Sequence, residues 1–172
     1  MSVLSLKALS IRQPWAHWIL HARKDVENRS WLPFDVCGPL LVHASKTWAS
    51  RVPGSQAQAH MVGSVRVAGV LIDAPINPPR GALVGIIRVW MCEQHSVSPW
   101  AEPGMWHWHL CDPLAFSEPV PWRGRQRFFN VPIDELPEGT REELRGWLGE
   151  LPQSVREEFD AWLSERGDSD GD

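Results

Sequence analysis

Tyrosine is absent from this chain, so its aromatic surface rests on eleven tryptophans and five phenylalanines. Tryptophan presents a large apolar stacking face with one polar N–H; base composition of the gene is the plainer source of such a bias. No apolar run approaches the ~20 residues of a membrane-spanning helix, so none is expected. Cysteine is scarce: Cys37, Cys92 and Cys111 are odd in number and widely spaced. That argues against a disulfide framework and suits a reducing compartment. The opening "MSVLSLKALSIRQPW" lacks the long apolar region and small-residue cleavage site of a signal peptide. A cytoplasmic location is the expectation. There is no nucleophile elbow, P-loop, dinucleotide glycine fingerprint or HExxH helix. The motif-marked enzyme classes are thereby excluded, though catalysis as such is not.

The 172 residues, 43% hydrophobic and 22% charged, are those of an ordinary soluble globule. A chain this long buries roughly 70% of its unfolded surface, enough for a core without staples. The net charge of −4 conceals an asymmetry. Residues 1–130 carry 13 Lys/Arg against 8 Asp/Glu, and residues 131–172 carry 4 against 13. A mildly basic body with an acidic tail hints at a polyanion-binding surface, with a solvated acidic helix as the other reading.

Alternation predicts a strand over Leu6–Ile11. Pro14 suits a helix start, and Trp15, Trp18, Ile19 and Ala22 share one face of a short helix. Lys24–Trp31 reads as a strand. Leu40–Ser45 has a buried-strand pattern, and the stretch from Lys46 to about 62 reads as a short helix followed by a loop. Val65–Ile72 is open between helix and strand. Ala82–Glu93 is the clearest strand, rich in β-branched residues. Trp106–Asp112 alternates, and Pro119 and Pro121 point to an edge strand before Gln126–Val131 returns. Thereafter Thr140 with Glu143 fits a capping box, ahead of an apolar stripe of Leu144, Trp147 and Leu148. A second helix from Pro152 carries Val155, Phe159, Trp162 and Leu163. The expected division is a barrel domain over 1–131, an acidic helical appendage over 132–166 and a disordered tail over 167–172.

Chemistry concentrates between Leu9 and Trp31. A nucleobase asks for a stacking plane and a few fixed donors and acceptors, and stacking on an aromatic contributes ~1–3 kcal/mol. Trp15, Trp31 or Trp48 could provide the plane. Glu27 could accept from an exocyclic amine; Asn28 and Gln13 donate and accept. Arg12, Lys24, Arg29 and Lys46 could meet phosphates. In a regular strand Glu27 and Arg29 share a face and Lys24 does not, unless the chain bends after the helix. The bland alternatives are a structural Glu27–Arg29 ion pair, a core Trp18 and a satisfied core His43, with a pocket role for His43 kept open. Arg123 and Arg125 flank a glycine, as phosphate grips or as solvated loop charges. His107, His109 and Cys111 alternate on one strand, with Cys92 and His95 on another. H-x-H-x-C is not a standard zinc spacing, so no metal is expected, and no cofactor.

In order, "LSIRQPWA", "KDVENRSW", "GPLLVHASK", "GALVGIIRV" and "WHWHLCDPLAFSEPVPWRGRQRFF" resemble the ASCH domain (activating signal cointegrator homology), a relative of the PUA-like barrels. The similarity runs over about Leu6–Val131. The family hallmark G-x-K-x-x-E-x-R reads here Ala22-Arg23-Lys24-Asp25-Val26-Glu27-Asn28-Arg29, with alanine for glycine. The resemblance implies an α+β fold: a small PUA-like β-barrel of about six strands with an early short helix, followed by C-terminal helices. It also implies a cleft beside the first helix that binds RNA, single-stranded DNA or a modified nucleotide. One branch of the family hydrolyses N4-acylated cytidine. That alternative would use Lys24 as base or nucleophile and a carboxylate, Glu27 or Glu93, as proton carrier. The branch carries threonine where this chain has Glu27. A third reading makes the acidic helices a protein–protein adaptor.

Overall fold

The computed structural model describes residues 4–32, 37–49, 58–60, 64–67, 70–73 and 75–167. Its main sheet has six strands in the order β2-β8-β7-β3-β1-β9. They are β1 (Ser5–Gln13), β2 (Val26–Arg29), β3 (Gly38–Trp48), β7 (Ala82–Glu93), β8 (Trp106–Pro121) and β9 (Phe128–Pro132). Only β1 and β3 run parallel; the other neighbours are antiparallel. A second sheet joins β4 (Gln58–His60), β5 (Ser64–Val67) and β6 (Val70–Asp73). Helix α1 (Trp15–His21) follows β1, and α2 (Glu138–Glu150) and α3 (Gln153–Gly167) end the chain.

Side-chain alternation places a core on each face of the sheet. Leu6 and Ala8 of β1 point one way, with Leu41, Leu83, Ile86, Phe129 and Val131. Leu144, Trp147, Leu151 and Phe159 of the C-terminal segment cover that face. Leu9 and Ile11 point the other way, with Leu40, Val42, Ile87 and Trp108, and there Ala16 and Ile19 of α1 fill the space. Burial on both faces is why "LLV" and "ALVGII" read as near-continuous apolar runs. At Gly85 a side chain has no room: an added Cβ would lie 2.3 Å from the Leu114 carbonyl oxygen and 2.8 Å from Leu20 of α1. The Trp147 indole donates to the Asp112 carbonyl at 2.7 Å, pinning α2 to β8.

Several expectations are corrected. Among the described residues no ladder joins β2 to β1 or β9, so the sheet is open rather than a closed barrel. Side chains bridge the seam instead: Arg29 donates to the Ser10 carbonyl at 3.2 Å, and Trp31 meets Phe128 at 5.3 Å. Lys46–Trp48 continues β3 and is not helical, because this stretch still pairs with β1 through Trp48. Residues 50–57 and 61–63 lie outside the described residues. Of Val65–Ile72, Val65–Val67 lies in β5 and Val70–Ile72 in β6, and residues 68–69 lie outside the described residues. The edge strand expected around Pro119 and Pro121 is the far end of the long β8; β2 pairs only with Trp106–His109, so these prolines face no second ladder. Thr140 is not the cap of α2. The helix begins at Glu138 after Pro137, and Thr140 is buried inside it. Glu143 accepts from the Ser117 backbone N–H rather than closing a capping box.

Candidate functional site

Two cavities lie along the seam and share Ser10, Arg12 and Arg29. The smaller, about 320 Å³, sits beside α1. Its floor is built by the turn after the helix. Arg23 takes a left-handed conformation (φ 54°), and both Ala22 and Lys24 donate backbone N–H groups to the Trp18 carbonyl. The left-handed residue is therefore Arg23, and Ala22 at the hallmark glycine position needs no special backbone. This turn brings Lys24 round to the face of Glu27, which a regular strand would not do.

Lys24 Nζ lies 2.9 Å from Glu27 Oε2 and also donates to the Val26 carbonyl. Arg29 Nη2 lies 2.9 Å from Glu27 Oε1. Burial alone would push the Glu27 carboxyl up, but the Lys24 and Arg29 charges and hydrogen bonds outweigh it and hold it below the ordinary carboxylate range. The structural ion pair is thus present, inside the pocket. Glu102 lines the same pocket, and burial pushes its carboxyl up, with Lys24 opposing. Trp15 and Trp100 add aromatic walls, 6.5 Å apart and edge to face.

Gln13 and Asn28 also brace other elements, Asn28 while lining the small pocket. Gln13 donates to the Pro79 carbonyl at 2.9 Å and accepts from the His17 N–H at 3.0 Å, and it lines neither cavity. Asn28 donates to the Trp100 carbonyl at 2.8 Å and accepts from the Glu102 N–H at 3.0 Å. It fixes the loop that carries Trp100 and Glu102. Trp18 is core, 1% exposed. Trp48 lines neither cavity.

The larger cavity is an open groove of about 1050 Å³. Arg12, Arg29, Lys46, Arg123, Arg125 and Arg127 line it, together with Trp31 and Trp122, and among the described residues no carboxylate does. Ser10 and Arg12 reach it because they alternate outward from β1 while Ile11 and Gln13 turn inward. His43 supports it from below. Its Nε2 lies 3.1 Å from the Trp122 carbonyl, which can only accept, so Nε2 carries the proton and Nδ1 accepts from Ser10 Oγ at 3.0 Å. Burial lowers the His43 pKa, with the Trp122 bond opposing, which favours this neutral form. Gly124 lies directly on that pair: an added Cβ would fall 2.3 Å from His43 Cε1 and 2.7 Å from Ser10 Oγ. The loop with Arg123, Arg125 and Arg127 is seated by this contact.

An ASCH domain family model matches residues 9–119, well over half of the chain. The chain belongs to the ASCH family. It is accordingly a member of the PUA-like superfamily. No curated protein matches it. The ASCH match covers the whole small pocket but stops before the Arg123–Arg127 loop. Half of the groove's cations thus lie beyond the matched residues. Sequence reasoning left Arg123 and Arg125 open and missed Arg127, Trp100 and Glu102. The alternating basic pattern R-G-R-Q-R was the available signal for Arg127; nothing local marks the other two. His107 donates to the Glu102 carbonyl at 2.7 Å and accepts from the Ser96 N–H at 3.1 Å, and His109 meets Glu93 at 2.8 Å. Among the described residues no three potential metal ligands gather. None of the described helices is long and apolar enough to cross a membrane.

Proposed function

We propose that this ASCH domain is a nucleic-acid-binding module whose groove holds the sugar–phosphate backbone and whose small pocket receives a base or modified base. The observation that carries this is six cations converging on a groove that no carboxylate lines among the described residues, in a chain of net charge −4. Cations gathered against that overall balance face a polyanion at close range, where the distant acidic residues are screened beyond ~8–10 Å. Arg29 leads from one cavity to the other. Its Nη2 is held by Glu27 and Ser10, and its buried Nε has no partner. In the pocket, Trp15 and Trp100 offer apolar contact and Glu102 an acceptor.

The test is fluorescence anisotropy with labelled RNA and DNA 12-mers over a range of salt. Five groove cations besides Arg29 would give a slope of log K against log salt of up to about −3.5 for a single strand. A slope near zero, or no binding in low salt, rejects the reading.

A second reading is favoured by one feature of the pocket: Lys24 and Glu27 touch at 2.9 Å in a cavity that Glu102 also lines, and burial of Glu102 favours a proton-carrying carboxyl. This is the amidohydrolase alternative, acting on an N4-acylated or otherwise modified cytidine. Incubation with modified nucleosides and product analysis by mass separates the two. Turnover that Lys24→Ala abolishes favours the enzyme; salt-dependent binding without turnover favours the module.

A further inference from the structure

Trp31 stands on the groove wall just beyond β2. Trp108 at 5.0 Å and Phe128 at 5.3 Å stand nearly perpendicular to it, so neither ring lies flat against it. What lies over its ring is the Arg127 guanidinium, 5.5 Å from the centroid. Arg127 is exposed and holds a left-handed backbone (φ 58°), which disfavours any residue with a Cβ. An exposed arginine in a strained conformation, parked over an aromatic at a cleft, is held there by the surrounding fold rather than by its own preference.

We propose that Trp31 and Arg127 form a stacking slot for one unpaired nucleobase, so that the groove selects single-stranded over duplex nucleic acid. This rests on the reading of the groove as a nucleic-acid site. At 5.5 Å the guanidinium covers the indole, so the exposed Arg127 side chain moves outward and the base enters between the two, which both stack on π faces. A base inside a duplex has both faces covered by its neighbours and offers none to Trp31. The phosphates flanking the stacked base then meet Arg123 and Arg125 on the same loop, which the His43–Gly124 contact holds in place. The slot is distinct from the small pocket, since neither Trp31 nor Arg127 lines the latter.

The experiment compares a 12-mer single strand, as RNA and as DNA, with a blunt duplex of the same sequence. A set of single strands carrying one abasic site, moved along the sequence, accompanies them. Binding is read by anisotropy and by quenching of tryptophan fluorescence. Two variants are used: Trp31→Leu, and Arg127→Gly, in which glycine accepts the left-handed backbone without strain. The single strand is expected to bind roughly ten-fold or more tighter than the duplex, with the abasic penalty of similar size confined to a narrow window. Arg127→Gly is expected to weaken the intact strand by a clearly larger factor than the most weakened abasic strand, which loses only the cation's charge. That non-additivity does not depend on whether Trp31→Leu folds. Salt-dependent binding in which duplex, intact and abasic strands are equivalent would overturn the slot and leave the groove reading standing. Absence of binding to every oligonucleotide in low salt would overturn both.

Discussion

In the small pocket, Lys24 and Arg29 each lie 2.9 Å from Glu27, and two of these three side chains are almost fully buried. In the adjoining groove, Arg12, Arg123, Arg125 and Arg127 are exposed, and no acid among the described residues lines the wall. The difference follows from solvation. A buried charge needs a partner within reach, or the fold bears its desolvation. An exposed one is solvated and can exchange water for an incoming anion. The pocket's charges are satisfied by one another, and the groove's arginines, Arg29 apart, stand exposed to solvent. Substitutions in the two places should behave in opposite ways.

The largest effect is expected for Glu27→Gln, which leaves two cations facing each other across a buried site. Losing one partner of a buried pair costs ~3–5 kcal/mol, read as a lowered midpoint in chemical denaturation. pH sharpens the point. Burial raises the Glu27 carboxyl, but its two cations lower it further, so its net pKa is below the ordinary 4.5. Its stabilisation is therefore present above that ordinary value and lost as pH falls through the depressed one. Wild type should show an acid-labile component that Glu27→Gln lacks; parallel acid profiles would mean the cluster contributes little.

Gly124→Ala tests the link between the two regions. The new methyl cannot occupy space 2.3 Å from His43, so the loop must lift or His43 must turn. Overpacking of this kind costs ~1–3 kcal/mol. Thermal unfolding and oligonucleotide affinity should fall together. Retained affinity would show that the arginine loop does not depend on its seat.

Arg123→Ala with Arg125→Ala should do the reverse of Glu27→Gln. Both residues are exposed, so stability should stay within ~0.5 kcal/mol. The salt slope for a single strand should become shallower by about 1.4. The smallest effect is expected for Arg23→Gly, which relieves the left-handed backbone at the pocket floor. A gain of up to ~1 kcal/mol in thermal or denaturant unfolding is expected. A loss would mean the arginine side chain contributes more than its backbone costs.

Much of the fold was legible where local pattern and burial agree. The β1 alternation, the α1 stripe, the apolar runs of β3 and β7 and the Leu144–Trp147–Leu148 stripe each declare one face or two. Errors fell where tertiary pairing overrode a local signal. Lys46–Trp48 reads as a helix start but extends β3 along β1. Thr140 reads as a cap but is drawn into the core with Leu144 and Trp147. Of the site, the Lys24–Glu27–Arg29 cluster was visible as a motif. The consumption of Gln13 and Asn28 was not, because their backbone partners Pro79, Trp100 and Glu102 are distant in sequence.

The sequence by itself determined the family, the mixed α+β character and the identity of the hallmark charges, since these rest on residue types at short spacings. Tertiary structure alone decided which charges are paired and which are free. It joined residues 123–127 to Arg12, Trp31 and Lys46, left the sheet open along that seam, and set Arg127 over Trp31. Each of these depends on chain crossings tens of residues apart, where local pattern carries no record of which side chains meet.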